Sequence, residues 1–427
     1  MLCVNGVAQA ADADADQDDR ITRLEATVEA LTDELEKAVS GAVVPDSDGA
    51  SFYGLGPAAS KVYEIDRGLS IGGYGEAYYS KKLGDDTNSE NDITDFYRMV
   101  LYAGYKFNDW IVLNSEIEFE HGGSAAGGSV GVEFATLDFM LRDWVNVRAG
   151  LMLVPMGFIN EMHEPVTYFG NFRPRVEQTI IPSTWRENGV GLYGTLAEGL
   201  TYKLYAMNGF EGADFRGQDG FRKGRQKGGK AIANNGALVA RVDWTPSDAW
   251  DLGASFYYGD SGQDDADLGG LALTTTIWDV HAQYQGHGAR VRGLVTGSNL
   301  DGAADLNARV FAVCGGVVTD KCKDPNNAKQ MLGAYGEIGY DVMQWIRPGS
   351  RQSLEPFYRF SYLDLQHEMD GADVANSKYK DMHYHTVGVS YKPIPQVVVK
   401  LDYRNISSAA GDDSYADEFN VGIGFVF

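Results

Sequence analysis

Long apolar runs, cysteine and proline are all scarce in this sequence. No stretch approaches the roughly 20 apolar residues that a membrane-spanning helix needs, and the mean hydropathy is −0.27. This absence excludes a helical membrane protein. It leaves a transmembrane β-barrel open, because only every second residue of a barrel strand has to be apolar. The 427 residues include only 12 prolines, so few positions would interrupt the hydrogen-bond ladder of a sheet.

Basic residues are also in short supply. The chain has 36 Lys and Arg against 60 Asp and Glu, which gives a net charge of −24. A nucleic-acid partner is therefore not expected, because such proteins present a basic face to the phosphates. Glycine and aromatic residues are abundant instead, with 52 Gly, 24 Tyr and 19 Phe. This composition favours many strands joined by turns.

The three cysteines bear on export. Residues 1–10 resemble the remnant of a signal peptide, because a short apolar stretch leads to an A-x-A cleavage pattern at 8–10; a disordered leader is the alternative. Cleavage there would remove Cys3 and leave Cys314 and Cys322. We predict that these two form a disulfide within one loop, as cysteine pairs in exported proteins most often do. Two thiols without a neighbouring histidine do not indicate a metal site, and no cofactor is expected.

Residues 20–39 follow a seven-residue pattern. Apolar residues fall on the a and d positions of just under three heptads, and this spacing predicts a short coiled-coil helix. Because such a helix is marginal alone, we expect it to pair with other copies; an amphipathic helix packed on its own barrel is the alternative. Residues 11–19 form an acidic, solvated tail, and residues 40–67 are predicted to be a linker. The heptad positions hold Ile21, Leu24, Val28, Leu31, Leu35 and Ala38.

The final residues, 419–427, alternate between two kinds of side chain. Phe419, Ile423 and Phe427 fall on a wholly apolar face, while Asn420 falls on a small or polar face. Such a strand suits a position between lipid and a watery lumen, although an edge strand of a soluble sheet is the alternative. A last strand that ends on Phe resembles those of bacterial outer-membrane barrels.

Sixteen alternating segments follow one another from Leu69 onward. Their connections alternate between short and long, except for a longer one at 342–352. Up-and-down barrels show this asymmetry, with short periplasmic turns and long extracellular loops. We therefore predict an all-β fold in which residues 68–427 form a 16-stranded antiparallel transmembrane β-barrel, with the N-terminal coiled-coil helix in the periplasm. Alternation also predicts an outward face that includes Tyr97, Met99 and Leu101.

Two passages carry a family resemblance, residues 148–157 (RAGLMLVPMG) and residues 182–191 (PSTWRENGVG). Together with the coiled-coil lead and the strand layout, they resemble the trimeric bacterial porins of the phosphate-selective O and P family. The resemblance implies a sixteen-stranded barrel of the bacterial outer membrane, three to an assembly, each with a pore narrowed by an infolded third loop. It also implies anion channels lined by Arg and Lys.

The third long connection, residues 155–186, is the longest, and loops of this size are usually functional. If it folds into the barrel, its charges stand at the narrowest point of the pore, where fixed charge selects ions by sign. An outward lid is the alternative. The candidate constriction residues are Glu161, His163, Glu164, Arg173, Arg175, Glu177 and Arg186.

Strand parity assigns further charged residues to the wall of the pore. Basic and acidic side chains nearly cancel there, and pairing across strands is their commonest role. This heavy acidic share departs from the phosphate-selective pattern. The candidate wall residues are Arg98, Arg148, Lys203, Arg241, Arg290, Arg292, Glu116 and Glu118.

The expected function is a water-filled outer-membrane channel for passive diffusion of small hydrophilic solutes and ions, with an anion, phosphate-like preference as a refinement. The expected partners are the lipid bilayer, lipopolysaccharide and two further copies in a homotrimer.

The basic fourth long loop, residues 210–233, would either bind lipopolysaccharide, steer anions or simply be solvated. The alternative function is an anchor that tethers the envelope to the cell wall through the coiled coil. No enzyme is expected, because the scattered histidines lie in no nucleophile motif.

Overall fold

A computed structural model describes residues 20–30, 32, 51–83, 91–123, 127–266, 268–313, 326–370, 381–408 and 416–427. The chain divides into two compact units, Met1–Asp48 and Gly49–Phe427. In the first unit, residues 20–30 form helix α1, on which Leu24 and Val28 are exposed. Pairing of this helix with other copies stays a prediction. Among the described residues, no helix is long and apolar enough to span a membrane.

Several predicted features lie outside the described residues. They are the signal remnant at 1–10, the acidic tail at 11–19, the last heptad positions Leu31, Leu35 and Ala38, and the Cys314–Cys322 disulfide.

The second unit is built around sixteen antiparallel strands. Each strand pairs with its neighbours in sequence, and β16 closes the sheet by pairing with β1. The predicted 16-stranded barrel is therefore confirmed over the described residues. The strands are β1 (Gly68–Leu83), β2 (Ile93–Asn108), β3 (Ile111–Glu120), β4 (Ser129–Arg142), β5 (Val145–Leu153), β6 (Arg186–Ala197), β7 (Leu200–Asn208), β8 (Gly236–Ser247), β9 (Trp250–Asp260), β10 (Thr274–Gly286), β11 (Ala289–Leu300), β12 (Gln330–Tyr340), β13 (Ser353–Glu368), β14 (Met382–Ile394), β15 (Val397–Ser408) and β16 (Asp417–Val426).

Side chains alternate between the two faces of each strand. On β15, Lys400 and Asp402 are 3% and 2% exposed, while Leu401 between them is 40% exposed. A chain that buries these charges and exposes the leucine carries its apolar surface on the outside, as a barrel in lipid requires.

Connections at the end of the barrel where β1 begins are short, as predicted. The exception lies between β12 and β13, where the connection contains helix α5 (Met343–Ile346) and leaves Trp345 71% exposed. Connections at the other end are longer. They contain helix α3 (Val176–Thr179), helix α4 (Ala303–Val313) and two 3₁₀ turns, Gly212–Asp214 and Arg222–Gly224.

A β-bulge corrects the predicted outward position of Tyr97. Glu76 of β1 pairs with Arg98 of β2, but Tyr78 pairs with Asp95, so the register shifts by one residue. An extra residue on one strand reverses which face the following side chains occupy. Tyr97 therefore points into the lumen, where its ring meets that of Tyr78 edge-on at 5.6 Å.

Part of the segment predicted as a linker, 40–67, is instead a buried helix. Helix α2 (Pro57–Glu64) lies on the lumenal face of β1, β2 and β3. The Asn114 side-chain amide of β3 donates to the Ala59 carbonyl at 2.8 Å, and the Tyr63 hydroxyl donates to Asp138 of β4 at 2.6 Å. Pro57 suits the first turn of a helix. The helix is too short to be stable alone, so the barrel around it accounts for its structure.

A glycine on the wall allows α2 to pack closely. A Cβ atom added to Gly104 would lie 2.6 Å from Cβ of Val62. We expect Gly104→Val to push α2 away from the wall at a cost of about 1–3 kcal/mol, as is usual for overpacking. Limited trypsin digestion checks this, because Lys61, now 4% exposed, would become cleavable. Gly336→Val is the control, since no atom lies within 4 Å of a Cβ there; protection of Lys61 in both variants would contradict the expectation.

Candidate functional site

The third long loop, residues 154–185, folds into the barrel and crosses it. Near its start, the Gly157 N–H donates to Asp279 of β10 at 3.2 Å. Near its middle, the Asn171 N–H donates to Asp402 of β15 at 2.7 Å. The sequence left two arrangements open, a loop folded into the barrel and a lid outside it. The structure shows the loop folded into the barrel.

Apolar side chains pack this loop into a core inside the barrel. Ile159, Val176 and Ile180 are fully buried. At the end of the loop, the Trp185 indole stacks on Phe210 of the fourth long loop, with ring centroids 4.5 Å apart. The third loop is thus a packed part of the barrel interior.

Basic side chains of the wall bind the backbone of the loop. Lys392 of β14 donates to the Val166 carbonyl at 2.9 Å. Arg359 of β13 donates to the carbonyls of Phe169 and Phe172 at 2.6 and 2.9 Å. A loop that crosses a lumen has no ladder to bond its carbonyls, and buried carbonyls need donors. These wall cations supply them.

Most charged wall residues named from the sequence form ion pairs. Such pairs fix charge in place and neutralise it locally. Arg290 and Arg292 also donate to the Thr167 carbonyl of the third loop, at 3.3 and 3.2 Å. The pairs are Arg98 with Glu76 (2.8 Å) and Glu118 (3.0 Å), Arg148 with Asp138 (2.7 Å), Lys203 with Glu161 (2.6 Å), Arg241 with Asp243 (2.7 Å), Arg290 with Glu355 (3.1 Å) and Arg292 with Glu337 (3.6 Å).

The acidic candidates of the loop are buried and act as acceptors. Glu164 accepts from the N–H groups of Ala58 and Ala59 at 2.9 and 3.2 Å, so it caps the N-terminus of α2. Glu177 accepts from the Tyr335 hydroxyl of β12 at 2.6 Å. Both carboxylates therefore hold parts of the structure together and do not face open space.

His163 and Arg186 lie beneath the loop. His163 Nε2 is 3.1 Å from Glu116 of β3, and Arg186 donates to Glu133 of β4 at 2.6 Å. Burial, followed by the nearby charge of Arg173, lowers the pKa of the His163 imidazole to about 3. The imidazole is therefore neutral near pH 7.

Open space remains beside the loop. Two of the spaces border strands among β13–β16, β1 and β2, and a third borders β2, β3 and the fourth long loop. A cavity of about 490 Å³ and another of about 230 Å³ both border Tyr97, Phe172 and Arg175. A narrower gap of about 10 Å³, roughly the space of one water molecule, adjoins them. This gap is the tightest of the three spaces. Its charged lining residues are Arg173, Arg175, Arg359, Asp402 and Arg404.

Two of the predicted constriction residues, Arg173 and Arg175, line this gap, and the other five do not. Arg359 and Arg404 line it as well. Nothing in the sequence showed that these two strand residues lie opposite the loop. Arg222 of the basic fourth loop lines the 230 Å³ cavity and donates to the Ser183 carbonyl at 3.2 Å. Arg222 is therefore packed on the third loop, whereas the sequence suggested that the basic fourth loop would face solvent, anions or lipopolysaccharide.

Comparison with known proteins identifies one relative by sequence. No protein-family model matches the chain. An uncharacterized protein of Aquifex aeolicus (strain VF5) is 34% identical over 359 residues, an alignment that covers 82% of this chain and 79% of that protein.

Solved structures with a similar fold are outer-membrane porins and channels. OmpF of Salmonella typhi in complex with daunomycin has a TM-score of 0.55 at 14% identity and covers 85% of this chain and 98% of its own. The anion-selective porin from Comamonas acidovorans has a TM-score of 0.51 at 12% identity and covers 84% and 99%. The outer-membrane channel DcaP of Acinetobacter baumannii has a TM-score of 0.50 at 14% identity and covers 84% and 97%. At these identities the similarity establishes the fold.

Proposed function

The chain belongs to the same family as the Aquifex aeolicus protein, and from its porin-like barrel we propose that it is an outer-membrane channel for passive diffusion of small hydrophilic solutes and ions. The observation that carries this proposal is the polar gap between the third loop and the opposite wall. Four arginines and one aspartate line it, within a barrel whose outer face is apolar. Such a lining suits ions and small polar solutes, and the apolar outer face suits lipid.

We further propose an anion preference, which rests on the charge of two loop residues. Arg173 donates to the His163 carbonyl at 3.3 Å, and Arg175 donates to the Gln178 side chain at 3.1 Å. Neither pairs with a carboxylate in the part of the chain that the structure describes. Fixed positive charge without a counter-ion attracts anions at a constriction. Nothing in the lining distinguishes phosphate from other anions, so phosphate selectivity is not proposed.

A homotrimer in the outer membrane, with lipopolysaccharide around it, completes the proposal. The fourth loop offers less positive charge to anionic lipid than its sequence suggests, because Arg222 binds the third loop. The tethering alternative stays a prediction, since half of the heptad positions lie outside the described residues.

Planar-bilayer recordings on the purified full-length chain test the channel. We expect stepwise ion conductance, with steps in groups of three for a trimer, and a reversal potential in asymmetric KCl that favours chloride. A folded, heat-modifiable barrel that conducts no ions would contradict the channel. A reversal potential that favours potassium would contradict the anion preference alone.

A further inference from the structure

A buried cluster of two glutamates and one histidine lies between the third loop and the barrel wall. Glu116 of β3, Glu133 of β4 and His163 of the loop place two carboxylate oxygens and one imidazole nitrogen within 4.8 Å of one another. Each of the three residues is at most 1% exposed. The three residues come from two neighbouring strands and the third loop, and their spacing of 17 and 30 residues matches no metal-binding motif.

The geometry of His163 leaves three acceptors facing one another. Its Nδ1 lies 3.1 Å from the Asn160 carbonyl, so Nδ1–H donates there and Nε2 carries a lone pair. That lone pair faces an oxygen of Glu116 at 3.1 Å and an oxygen of Glu133 at 3.8 Å. A metal cation between these three atoms would accept a lone pair from each of them, so the nitrogen and both oxygens would become its ligands.

Unsatisfied oxygens point to the same conclusion. Oε2 of Glu116 and Oε2 of Glu133 are buried, and neither has a hydrogen-bond partner among the described residues. Buried acceptors are almost always paired in native proteins. The other oxygen of Glu133 accepts from Arg186 at 2.6 Å.

Charge balance also favours a bound cation. Within the described residues, the only ion-pair partner of Glu116 is His163. The neighbouring Arg98 is already engaged with Glu76 and Glu118. Arg173 and Arg186 lie nearby, but neither forms an ion pair with Glu116 in the described residues, so a cation between the free oxygens would supply the contact that this buried carboxylate lacks.

We propose that Glu116, Glu133 and His163 bind a divalent transition-metal ion, Zn²⁺ in the first instance, which fastens the third loop to the barrel wall. One imidazole nitrogen with two carboxylate oxygens is a donor set that suits Zn²⁺ or Mn²⁺. Ca²⁺ and Mg²⁺ take oxygen ligands and do not favour imidazole. The Asn160 carbonyl orients the imidazole, as hydrogen-bond partners of metal-bound histidines usually do.

Metal analysis of the refolded full-length chain tests this proposal. The protein is refolded into detergent with ZnCl₂, MnCl₂, CaCl₂ or EDTA, desalted, and measured by mass spectrometry of the elements. We expect about one Zn²⁺ per chain, and under about 0.1 in His163→Gln and in the Glu116→Gln, Glu133→Gln double variant. Glu337→Gln is the matched control, because it changes a buried wall glutamate of β12 that pairs with Arg359 at 2.7 Å.

Thermal unfolding gives a second readout that does not depend on conductance. The unfolding temperature, followed by the heat-modifiable gel shift, should be higher for wild type refolded with Zn²⁺ than with EDTA. That difference should vanish in the double variant, which retains the shape of both side chains. A folded wild type without stoichiometric metal would overturn the proposal in favour of a proton shared by Glu116 and His163. Zn²⁺ that a brief EDTA wash removes, or that the triad variants retain, would overturn it as well, since a buried site neither exchanges quickly nor survives loss of its ligands.

Discussion

Removal of helix α2 from the lumen is expected to raise the single-channel conductance about two-fold or more, because a helix with its side chains is about 10 Å across and α2 fills part of the lumen beside β1, β2 and β3. The variant replaces residues 52–64 with a Gly/Ser segment of the same length. This keeps the chain connected and removes Tyr63 and the small residues that pack on the wall. Planar-bilayer conductance in symmetric KCl is the measurement.

The same variant should also be less stable. Leu55, Val62 and Tyr63 are each at most 9% exposed, and burial of such side chains contributes about 1.5–3 kcal/mol apiece. Glu164 would lose the two N–H donors at the start of α2, so the third loop should loosen as well. We therefore expect a lower unfolding temperature together with the larger conductance.

A replacement outside the lumen is the control. Helix α5 (Met343–Ile346) lies in the connection between β12 and β13, where Met343 is half-buried and its other residues are exposed. A Gly/Ser replacement of α5 should leave the conductance unchanged. Wild-type conductance in an α2 variant that retains its β-sheet circular dichroism would show that α2 does not obstruct the path.

Loss of the Arg175 charge is expected to reduce the anion-to-cation permeability ratio about five-fold. Arg175 borders all three open spaces beside the third loop and has no carboxylate partner in the described part of the chain. One unit charge at 4 Å in water is worth about 1 kcal/mol, which is a factor of about five. Reversal potentials of Arg175→Ala in asymmetric KCl measure the change.

The structure separates Arg175 from another residue proposed for the constriction. Arg186 is 9% exposed and donates to Glu133 at 2.6 Å, so Arg186→Ala should hardly change selectivity, although it should lower stability. Arg347 and Arg351, exposed in the connection between β12 and β13, are controls for a general loss of charge. The Arg175→Ala effect should shrink in 1 M salt, where the screening length is about 3 Å. Equal shifts for Arg175→Ala and Arg186→Ala would contradict a local origin.

Strand parity predicted the inner wall of the barrel well, because the period-two rule acts residue by residue. Lys203 and Arg241 face inward as expected, and so do the glutamates of β3. The rule failed at Tyr97, where a bulge shifts the register by one residue. A bulge depends on how two strands pair, and neither strand alone reveals it.

Loop residues were less predictable. The length and charge of the third loop indicated that it matters, but they did not distinguish Arg175 at the gap from Glu164 under α2. Each role depends on what the folded loop meets across the lumen. The basic fourth loop shows the same limit, since Arg222 binds the third loop and not solvent.

By itself, the sequence determined the barrel, its sixteen strands and the side of the sheet that meets lipid, because alternation between apolar and polar side chains is a local property written along each strand. Only the tertiary structure decided which charges are neutralised, which remain free at the gap, and which three acceptors meet at the proposed metal site. It also decided that residues 57–64 form a helix inside the lumen. These features arise from contacts between segments that are distant in the chain, and closure of the barrel is what brings those segments together.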